Sequence, residues 1–401
     1  MDNIWQTKRL GDVCEISAGN SAPQRKELFL NGEYLFFRTS DIGKIRFGSI
    51  NDSADKLNQT GVKGLRLFKK GTLLFPKSGA STFLNHRVLM ANDGYVSSHL
   101  ATIKANDNIL DHRYLLYFSS MIDSRDLMQD QNYPSLRLSD IEQIQINLPA
   151  LKEQKRIVRA LDDVFENVKK AKENAEKNLA NARELFNSYL QDSFSLLNSK
   201  YKQRRIKDVA KIYGGFAFKS TWFNKKGKYQ VLRIGNIRRG QVRRDENPVF
   251  IEHVDENILE RSLLKAGDVV ITQTGTRKKR DYGYTTIIDQ DNYLLNQRLS
   301  AIRFDNVLFR KYFLYFSWSE IFRDQFFKNE TGTVGQGNVG INAIIEALMP
   351  VPDMAEQSQI VAKLDTLSLE TKKLEVIYKK KLADLDELKK SVLQKAFKGE
   401  L

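Results

Sequence analysis

The stretch "LPALKEQKRIVRALD" runs from Leu148 to Asp162, and "MPVPDMAEQSQIVAKLD" runs from Met349 to Asp365. Both stretches contain a proline, then Glu-Gln, then Ile-Val, then Leu-Asp. In both, apolar residues after the proline begin to recur at helical spacing. A chain that enters a helix twice through the same residues is predicted to be a tandem duplication.

The repeat extends through the rest of the chain. "FKKGTLLFPKSG" at Phe68 matches "LKAGDVVITQTG" at Leu264, and "HRYLLYFSS" at His112 matches "RKYFLYFSW" at Arg310. The repeat period is far longer than the ~20–50 residues of a solenoid, so it indicates two similar folds.

Composition narrows the class of protein. Of 401 residues, 41% are hydrophobic and 28% charged, as in globular proteins of two or three domains. No apolar run approaches the ~18 residues that span a membrane, and "MDNIWQTKRLGDV" lacks a secretory hydrophobic region. The single cysteine, Cys14, predicts a reducing cytoplasmic location. The net charge of +15 favours a polyanionic partner, either nucleic acid or an anionic membrane, although a basic surface can also serve solubility alone.

Each copy has two parts. In residues 1–150 and 201–352, short β-rich runs alternate with turns, so we expect a mixed α/β globule in each. "GTLLFPKSG" and "GDVVITQTG" predict buried strands between glycine turns, while the two tyrosine-rich segments quoted above predict short amphipathic helices. Residues 151–200 and 353–401 each predict one long helix. The expected fold class is α+β.

Both long helices carry apolar residues in alternating steps of four and three, the heptad pattern of a coiled coil. In the second helix this pattern predicts a buried seam at Ile360, Leu364, Leu367, Thr371, Leu374, Tyr378, Lys381, Leu385, Leu388, Val392 and Lys395. In the first helix it predicts Leu161, Val164, Val168, Ala171, Ala175, Ala182, Leu185 and Tyr189, with Asn178 interrupting the seam. An amphipathic helix of this length needs a partner for its apolar stripe, and the other copy is the nearest one.

Similar units commonly pair about a two-fold axis. A pseudo-two-fold axis perpendicular to the helices makes them antiparallel and places the globules at opposite ends of a spacer. Duplex DNA has local two-fold axes as well, so we expect each globule to face one half-site. The duplication thus predicts two DNA-recognising globules separated by one helical spacer.

The two globules share a framework but differ in the loop after the glycine-flanked strand. "PKSGASTFLNHR" in the first copy corresponds to "TQTGTRKKRDYGYT" in the second. The second loop carries Arg277, Lys278, Lys279 and Arg280 in series, beside Tyr282. Arginine and lysine neutralise phosphates, and arginine pairs with guanine in the major groove, so we expect this loop to contact DNA. The alternative is a solvated charged loop.

Two further pairs of segments are candidates. "FFRTSDIGK" and "VLRIGNIRRG" place Arg38 and Arg233 at matching positions, where each arginine either contacts DNA or braces the fold. "QNYPSLRLS" and "TGTVGQGNVGIN" precede the long helices, and the glycines of the second form either a loop that approaches a DNA backbone or a flexible connector. The candidate DNA-binding residues are Arg38, Thr39, Ser40, Lys77, Ser78, Ser81, Arg87, Arg137, Arg233, Asn236, Thr274, Thr276, Arg277, Lys278, Lys279, Arg280, Tyr282, Gln297, Arg298 and Asn338.

Signals for catalysis are weak. The histidines have no metal-ligand spacing; they are His86, His99, His112 and His253. Cys14 aligns with Ala210 in the second copy, which favours a small buried residue over a nucleophile. The glycine-rich segment does not match a phosphate-binding fingerprint. We therefore expect neither a metal site nor an enzyme.

Several motifs act in combination. They are "LKEQKRIV" and "MAEQSQIV" at the helix starts, "RTSDI" at Arg38, "GFAFKS" at Gly215, and the ending "LKKSVLQKAFKGEL" from Leu388. With the tandem architecture, they resemble the specificity subunit of Type I restriction–modification systems over essentially the whole chain. The polar, alanine-rich "KKAKENAEKNLANAREL" of the first helix departs from the heptad pattern, so it weakens the predicted register of this helix but not the resemblance.

The resemblance implies that residues 1–150 and 201–352 are target recognition domains and that the long helices are spacers. It implies a non-catalytic chain that recognises an asymmetric bipartite target in double-stranded DNA. Two methyltransferase subunits and two restriction–translocase subunits would then methylate adenine or cleave. S-adenosylmethionine, ATP and Mg are expected on those partners, with no cofactor on this chain and no membrane partner.

Two alternatives from other classes remain. A coiled-coil scaffold without DNA readout would explain the helices and the duplication, but not divergent basic loops on a shared framework. A standalone nuclease is the third possibility.

Overall fold

A computed structural model describes residues 5–128, 134–333 and 335–401. Contacts divide the chain into two compact units. Unit 1 comprises Met1–Ala175 and Lys379–Leu401, and unit 2 comprises Glu176–Tyr378. Each unit therefore contains one globule and about half of each long helix. Among the described residues, no helix is both long and apolar enough to cross a membrane.

Unit 1 is a mixed globule followed by the start of a long helix. Its strands are β1 (Gln6–Arg9), β2 (Cys14–Ala18), β3 (Tyr34–Phe37), β4 (Phe47–Ile50), β5 (Asp55–Leu57), β6 (Leu73–Pro76), β7 (Arg87–Met90), β8 (Tyr95–Val96), β9 (Leu100–Ala105) and β10 (Gln145–Leu148). Its helices are α1 (Leu10–Val13), α2 (Thr39–Ile45), α3 (His112–Ser119), α4 (Leu138–Glu142) and α5 (Leu151–Lys200), which continues into unit 2. The sheets are β2-β9-β6-β7-β4, β5-β3-β8 and β1-β10. Because β1 pairs with β10 directly before α5, the start of the globule is bound to the start of the helix.

Unit 2 repeats this plan. Its strands are β11 (Gln203–Arg205), β12 (Lys211–Gly214), β13 (Tyr229–Leu232), β14 (Ile237–Arg238), β15 (Gln241–Val242), β16 (Phe250–Ile251), β17 (Val269–Thr272), β18 (Thr274–Thr276), β19 (Thr285–Ile287), β20 (Tyr293–Leu295), β21 (Leu299–Arg303), β22 (Gln336–Asn338) and β23 (Leu348–Pro350). Its helices are α6 (Glu256–Ser262), α7 (Val307–Phe316), α8 (Glu320–Phe327), α9 (Ile341–Ile345) and α10 (Met354–Lys398), which continues into unit 1. The larger sheets are β12-β21-β17-β19 and β16-β13-β20, and the pairs are β14-β15, β18-β22 and β11-β23.

The predicted duplication is confirmed at the level of single hydrogen bonds. After β6 the Lys77 amide donates to the His99 carbonyl at 3.0 Å, and after β17 the Gln273 amide donates to the Arg298 carbonyl at 3.0 Å. The glycine-flanked strands β6 and β17 are buried throughout, and the tyrosine-rich segments form α3 and α7 as predicted. The α+β class is thereby confirmed.

The repeated Glu-Gln motif shapes the start of each long helix. Gln154 and Gln357 are buried. Their side-chain amides donate to the carbonyls of Pro149 and Pro352, each at 2.8 Å. A carbonyl buried at the junction of strand and helix needs a donor. The glutamine supplies it, which explains why the motif follows the proline in both copies.

The repeated Leu-Asp motif attaches each helix to its globule. The Tyr117 hydroxyl donates to Asp162 at 2.6 Å, and the Tyr315 hydroxyl donates to Asp365 at 2.7 Å. Burial, and then the hydrogen bond to the carboxylate, raise the pKa of both tyrosines. Both hydroxyls therefore remain protonated donors at neutral pH, and the carboxylate is held at the surface of the globule.

The ends of the long helices complete the two cores in the same way. In unit 1, Phe397 of α10 is 5% exposed, and its ring centroid lies 4.8 Å from that of Tyr114 and 5.6 Å from that of Phe118. In unit 2, Phe194 of α5 is fully buried, 5.4 Å from Tyr312. In unit 1 the core is completed by the end of α10, which is distant in sequence from the globule, and in unit 2 by the end of α5, which directly precedes the globule in sequence.

Inside each unit the two long helices are antiparallel, as predicted. The contacts across them are Arg156–Leu401 and Lys172–Asp386 in unit 1, and Arg183–Glu375 and Lys200–Glu356 in unit 2. In both units the partner's residue number on α10 falls as the residue number on α5 rises, which is the antiparallel order.

The predicted seam of α10 is confirmed as far as Thr371 and is wrong at every second position from Leu374 onward. Leu374 and Leu388 are 37% and 46% exposed, and Lys381 and Lys395 are exposed as well. The positions that are partly or fully covered lie one residue later, at Glu375, Leu382, Lys389 and Ala396. Two of these four are charged, and the stems of such long side chains cover apolar surface while their heads reach water. From Leu374 onward, every second predicted seam position therefore lies one residue before the covered one.

The predicted seam of α5 is confirmed at seven of its eight positions and is wrong at Leu185. Leu185 is 62% exposed, whereas Phe186 is 9% exposed and belongs to the core of unit 2. The predicted interruption at Asn178 is also wrong, because Asn178 is exposed and Leu179 takes the seam position within an unbroken helix.

Candidate nucleic-acid interface

In unit 2 the chain leaves the buried strand β17 and forms a two-stranded antiparallel ribbon from β18 and β22. The facing pairs are Thr274–Asn338, Gly275–Gly337 and Thr276–Gln336. The ribbon starts directly after Gln273, whose amide is bound to the exposed turn at Arg298. This ribbon has no equally extended counterpart among the described residues of unit 1.

The inner face of the ribbon rests on a buried tyrosine. A Cβ added at Gly275 would lie 2.8 Å from the Tyr282 ring, and one added at Gly337 would lie 2.3 Å from the Tyr282 hydroxyl oxygen. Only glycine fits at both positions. The Tyr282 hydroxyl donates to Glu330, and burial together with this contact raises the pKa of Tyr282. The predicted DNA contact at Tyr282 is corrected: the residue is fully buried and supports the ribbon from below.

The outer face of the ribbon carries polar side chains. Successive residues of a strand point to opposite faces, so Gln336 and Asn338 lie opposite to Gly337, and both are exposed. The Thr274 hydroxyl donates to Asn338 Oδ1 at 2.9 Å, and Thr276 contacts Asp281 through both its amide and its hydroxyl. Thr274 is only 5% exposed, so the predicted contact there is corrected to an orienting role.

The four basic residues at the tip of the ribbon divide into two kinds. Arg277 forms an ion pair with Glu330 at 3.4 Å, and the Arg280 guanidinium lies 4.9 Å from the centroid of the Phe327 ring. Lys278 and Lys279 are exposed, and neither has a side-chain partner within the described part of the chain. The two arginines are thus engaged within the unit, while the two lysines extend into solvent.

A cavity of about 360 Å³ adjoins the ribbon. It is lined by Ile234, Gly235, Arg238, Thr272, Thr274, Gly275, Thr276, Asp281 and Tyr284. The lining combines backbone, hydroxyl and guanidinium groups, which can form hydrogen bonds with the polar edges of a ligand such as a base.

The equivalent surface of unit 1 is built differently. A single bridge joins Ser78 to Ser135, and the Ser78 hydroxyl lies 2.7 Å from His99 Nδ1. The chain then turns into a 3₁₀ helix, Ala80–Leu84, that presents Leu84 with 60% exposure. The candidates Lys77, Ser78 and Ser81 lie here and are half-buried. The two globules therefore present different chemistry at the same place in the same framework.

The arginines of the matched "RTSDI" and "RIGNI" segments make intramolecular hydrogen bonds. Arg38 Nε donates to the Asp55 carboxylate, and Arg233 donates to the Asn247 carbonyl at 2.6 Å. Their backbone conformations agree closely, with φ of −116° at both positions. Of the two interpretations, the structure favours bracing of the fold. Thr39 and Ser40 follow in the first turn of α2.

The predicted DNA contact of Arg87 is wrong. The side chain is fully buried. It donates to the carbonyls of Ser119 at 3.2 Å and Ile122 at 3.1 Å, and its guanidinium carbon lies 3.4 Å from the centroid of the Phe75 ring. Burial lowers the pKa of Arg87 to about 9, so the group is still charged at neutral pH. A buried cation needs such hydrogen bonds, and here it joins β7 to the end of α3.

The predicted DNA contact of Asn236 is also wrong. It is 2% exposed, and its amide donates to the carbonyls of Arg243 at 3.0 Å and Glu246 at 2.8 Å, which closes a turn instead of facing DNA. The other candidates stay accessible: Arg137 before α4, and Gln297 and Arg298 between β20 and β21, are all exposed.

Part of the glycine-rich segment forms one strand of the ribbon, Gln336–Asn338. Gly337 lies in β22, and Gly332 and Gly335 adopt φ values of +123° and +100° that favour glycine. Val334 and residues 131–133 of "QNYPSLRLS" lie outside the described residues. Gln336, which sequence reasoning missed, stands in this segment; the strand pairing with Thr276 is what exposes it.

Two observations bear on chemistry. Among the described residues, no group of three His, Cys, Asp or Glu side chains is placed to hold a metal ion. Burial raises the pKa of Cys14 to about 12, which suppresses the thiolate form. Cys14 is thus a thiol packed beside the core of unit 1.

The chain matches the family model of the Type I restriction modification DNA specificity domain twice, over residues 3–178 and 198–381. It therefore belongs to this DNA specificity family. It is 23% identical to the specificity subunit of the MjaVIII Type I restriction enzyme of Methanocaldococcus jannaschii, over 99% of this chain and 93% of the relative. It is 25% identical to the EcoKI specificity subunit of Escherichia coli, over 67% of this chain and 60% of the relative.

Two solved structures share the fold. One, from work on complex assembly and conformational transition of the type I R-M system, aligns with a TM-score of 0.77 at 19% identity over 99% of this chain and 98% of that one. The HsdS subunit of Thermoanaerobacter tengcongensis aligns with a TM-score of 0.63 at 20% identity over 99% and 97%. At 19–20% sequence identity, these two similarities show a shared fold and nothing more.

Proposed function

We propose that this chain is the DNA-reading subunit of a Type I restriction–modification complex and that it recognises an asymmetric bipartite target. One observation carries the proposal. The two globules share a framework down to matched hydrogen bonds, yet one carries a basic ribbon where the other carries a 3₁₀ turn with an exposed leucine. Two different surfaces on one framework suit two different half-sites.

The domain assignment follows from this function. Residues 1–150 and 201–352 are the two target recognition domains, and 151–200 and 353–401 are the spacers between them. The helix bounds Leu151–Lys200 and Met354–Lys398 support these divisions.

The chain itself performs no chemistry under this proposal. Two methyltransferase subunits bind S-adenosylmethionine and modify adenine, and two restriction–translocase subunits use ATP and Mg to cleave unmodified DNA. The name of one fold relative, which concerns assembly of a type I system, supports such partners. Their place of action, and therefore this chain's, is the cytoplasm.

Methylation mapping tests the proposal. The chain is produced with its methyltransferase partners in a host that lacks other adenine methylation, and modified bases are mapped across the genome. The expected result is one bipartite motif with unlike halves separated by unspecified bases. Each protein produced without the other should yield no methylation. Absence of a motif from the complete complex, or a motif that persists without this chain, would reject the function.

A binding experiment separates this function from a coiled-coil scaffold. The assembled complex should retard duplex DNA that carries the mapped motif, at a salt concentration where a shuffled duplex of equal length runs free. Equal retardation of both duplexes would support nonspecific attraction by the +15 chain and would count against readout.

A further inference from the structure

The β18–β22 ribbon has two unlike faces. Gly275 and Gly337 are paired on the inner face, where the Tyr282 ring and hydroxyl leave no room for a Cβ. The outer face carries Gln336 and Asn338, both exposed. The ribbon is therefore supported from below by a rigid aromatic side chain and presents two amides outward.

The hydrogen-bonding state of these amides points to a ligand with polar edges. Asn338 Oδ1 already accepts from the Thr274 hydroxyl at 2.9 Å, and its amide nitrogen has no hydrogen bond to any residue that the structure describes, so it is available as a donor. The Gln336 side chain has no hydrogen bond to any residue that the structure describes. Its carbonyl and amide groups are both available, on a backbone held by the strand register.

We propose that this ribbon enters the major groove of the half-site read by unit 2, with Gln336 as a base-reading residue. This inference rests on the proposed function and specifies how one of the two globules performs it. Two strands lie about 4.8 Å apart, and the major groove, about 12 Å wide, admits a two-stranded ribbon. A free glutamine amide matches the adenine edge, donating to N7 and accepting from the N6 amino group.

The lysines at the tip have a separate role. Lys278 and Lys279 extend past the paired residues of the ribbon and are exposed. A ribbon that lies in a groove brings its tip to the phosphates at the groove edge. Lys278 and Lys279 contact these phosphates without reading sequence, while Arg277 stays with Glu330.

The test of base reading uses the intact complex with its methyltransferase subunits. Q336A should relax one base position in one half-site, with a loss of discrimination of roughly 5- to 150-fold there. The other half-site should be unchanged. Q336R should move the preference at the same position from adenine towards guanine. Gln359, an exposed glutamine on α10, supplies the matched control Q359A, which should leave the motif intact.

The outcomes distinguish the inference from the function it rests on. If Q336A and Q336R methylate the wild-type motif with unchanged selectivity at every position, the ribbon does not read bases and the inference fails, while the function stands. A loss spread equally over both half-sites also overturns it. If the wild-type complex itself yields no bipartite motif, the proposed function fails first.

The phosphate contacts have their own measurement. K278A/K279A should lower affinity for specific and shuffled duplexes by the same factor, and should reduce the slope of log affinity against log salt by about 1.8, which is 0.9 for each lost contact. The control K225A/K226A removes two adjacent exposed lysines elsewhere in unit 2 and should leave the slope unchanged. An equal slope for both double variants would overturn the placement of the tip.

Discussion

Replacement of Phe397 by alanine should destabilise unit 1 selectively, although Phe397 lies near the end of the chain. Its ring is 5% exposed and packs against Tyr114 and Phe118 of α3. Removal of a buried phenylalanine side chain costs about 3–5 kcal/mol through lost apolar burial and the cavity left behind. A domain of this size loses about 2–4 °C in melting temperature per kcal/mol, so unit 1 should melt about 6–20 °C earlier.

Hydrogen exchange followed by mass spectrometry measures this effect unit by unit. In F397A, protection should fall in peptides from α3 and β9, and should persist in peptides from α7 and β21. F194A is the matched variant, because Phe194 packs on Tyr312 in unit 2, and its effect should be the reverse. L388A removes an exposed side chain from the same helix and should change little. Equal loss of protection in both units for F397A, or a change below about 1 kcal/mol, would refute the assignment of Phe397 to the core of unit 1.

The long helices and Cys14 allow three more tests. L385D should lower the melting temperature because Leu385 lies in the observed seam, whereas L388D should not, because Leu388 is exposed. An equal decrease for both variants would show that Leu388 also lies in the seam, as the heptad pattern predicts. Cys14 should react with a thiol reagent at pH 8 only on unfolding, since a pKa of about 12 leaves about one thiolate in ten thousand; rapid labelling of the native chain would contradict this. A fragment of residues 1–200 lacks the end of α10, and light scattering should show that it forms a dimer in which Phe194 of each copy takes the place of Phe397 in the other copy. The F194A variant of this fragment should stay monomeric. A dimer of the F194A fragment would reject this exchange.

Local sequence patterns were enough for the elements that depend on local physics. Glycines on both sides of "TLLFP" and "DVVIT" predicted strands that are buried on both faces, and the tyrosine-rich segments predicted α3 and α7. The duplication was also evident, because matched residues recur in order. These features depend on residue type and spacing along the chain, both of which the sequence displays.

The seam register and the roles of single polar residues depended on tertiary structure. Leu374 looks like a seam residue and Glu375 does not, yet Glu375 lies on the covered side. A heptad pattern states that a helix has an apolar side, but the shape of the partner surface decides which of two adjacent positions it covers. Arg87 reads as a phosphate ligand in sequence and is buried against Phe75, because the carbonyls that bind it come from a different element.

For the candidate site, the sequence by itself determined the divergence of the two loops and the basic run Arg277–Arg280. Only the tertiary structure separated that run into arginines held within unit 2 and lysines free to contact a ligand. It also exposed Gln336, by pairing Gly337 with Gly275 over Tyr282. The physical reason is that charge and periodicity belong to the chain, whereas accessibility belongs to the contacts between segments that are far apart in it.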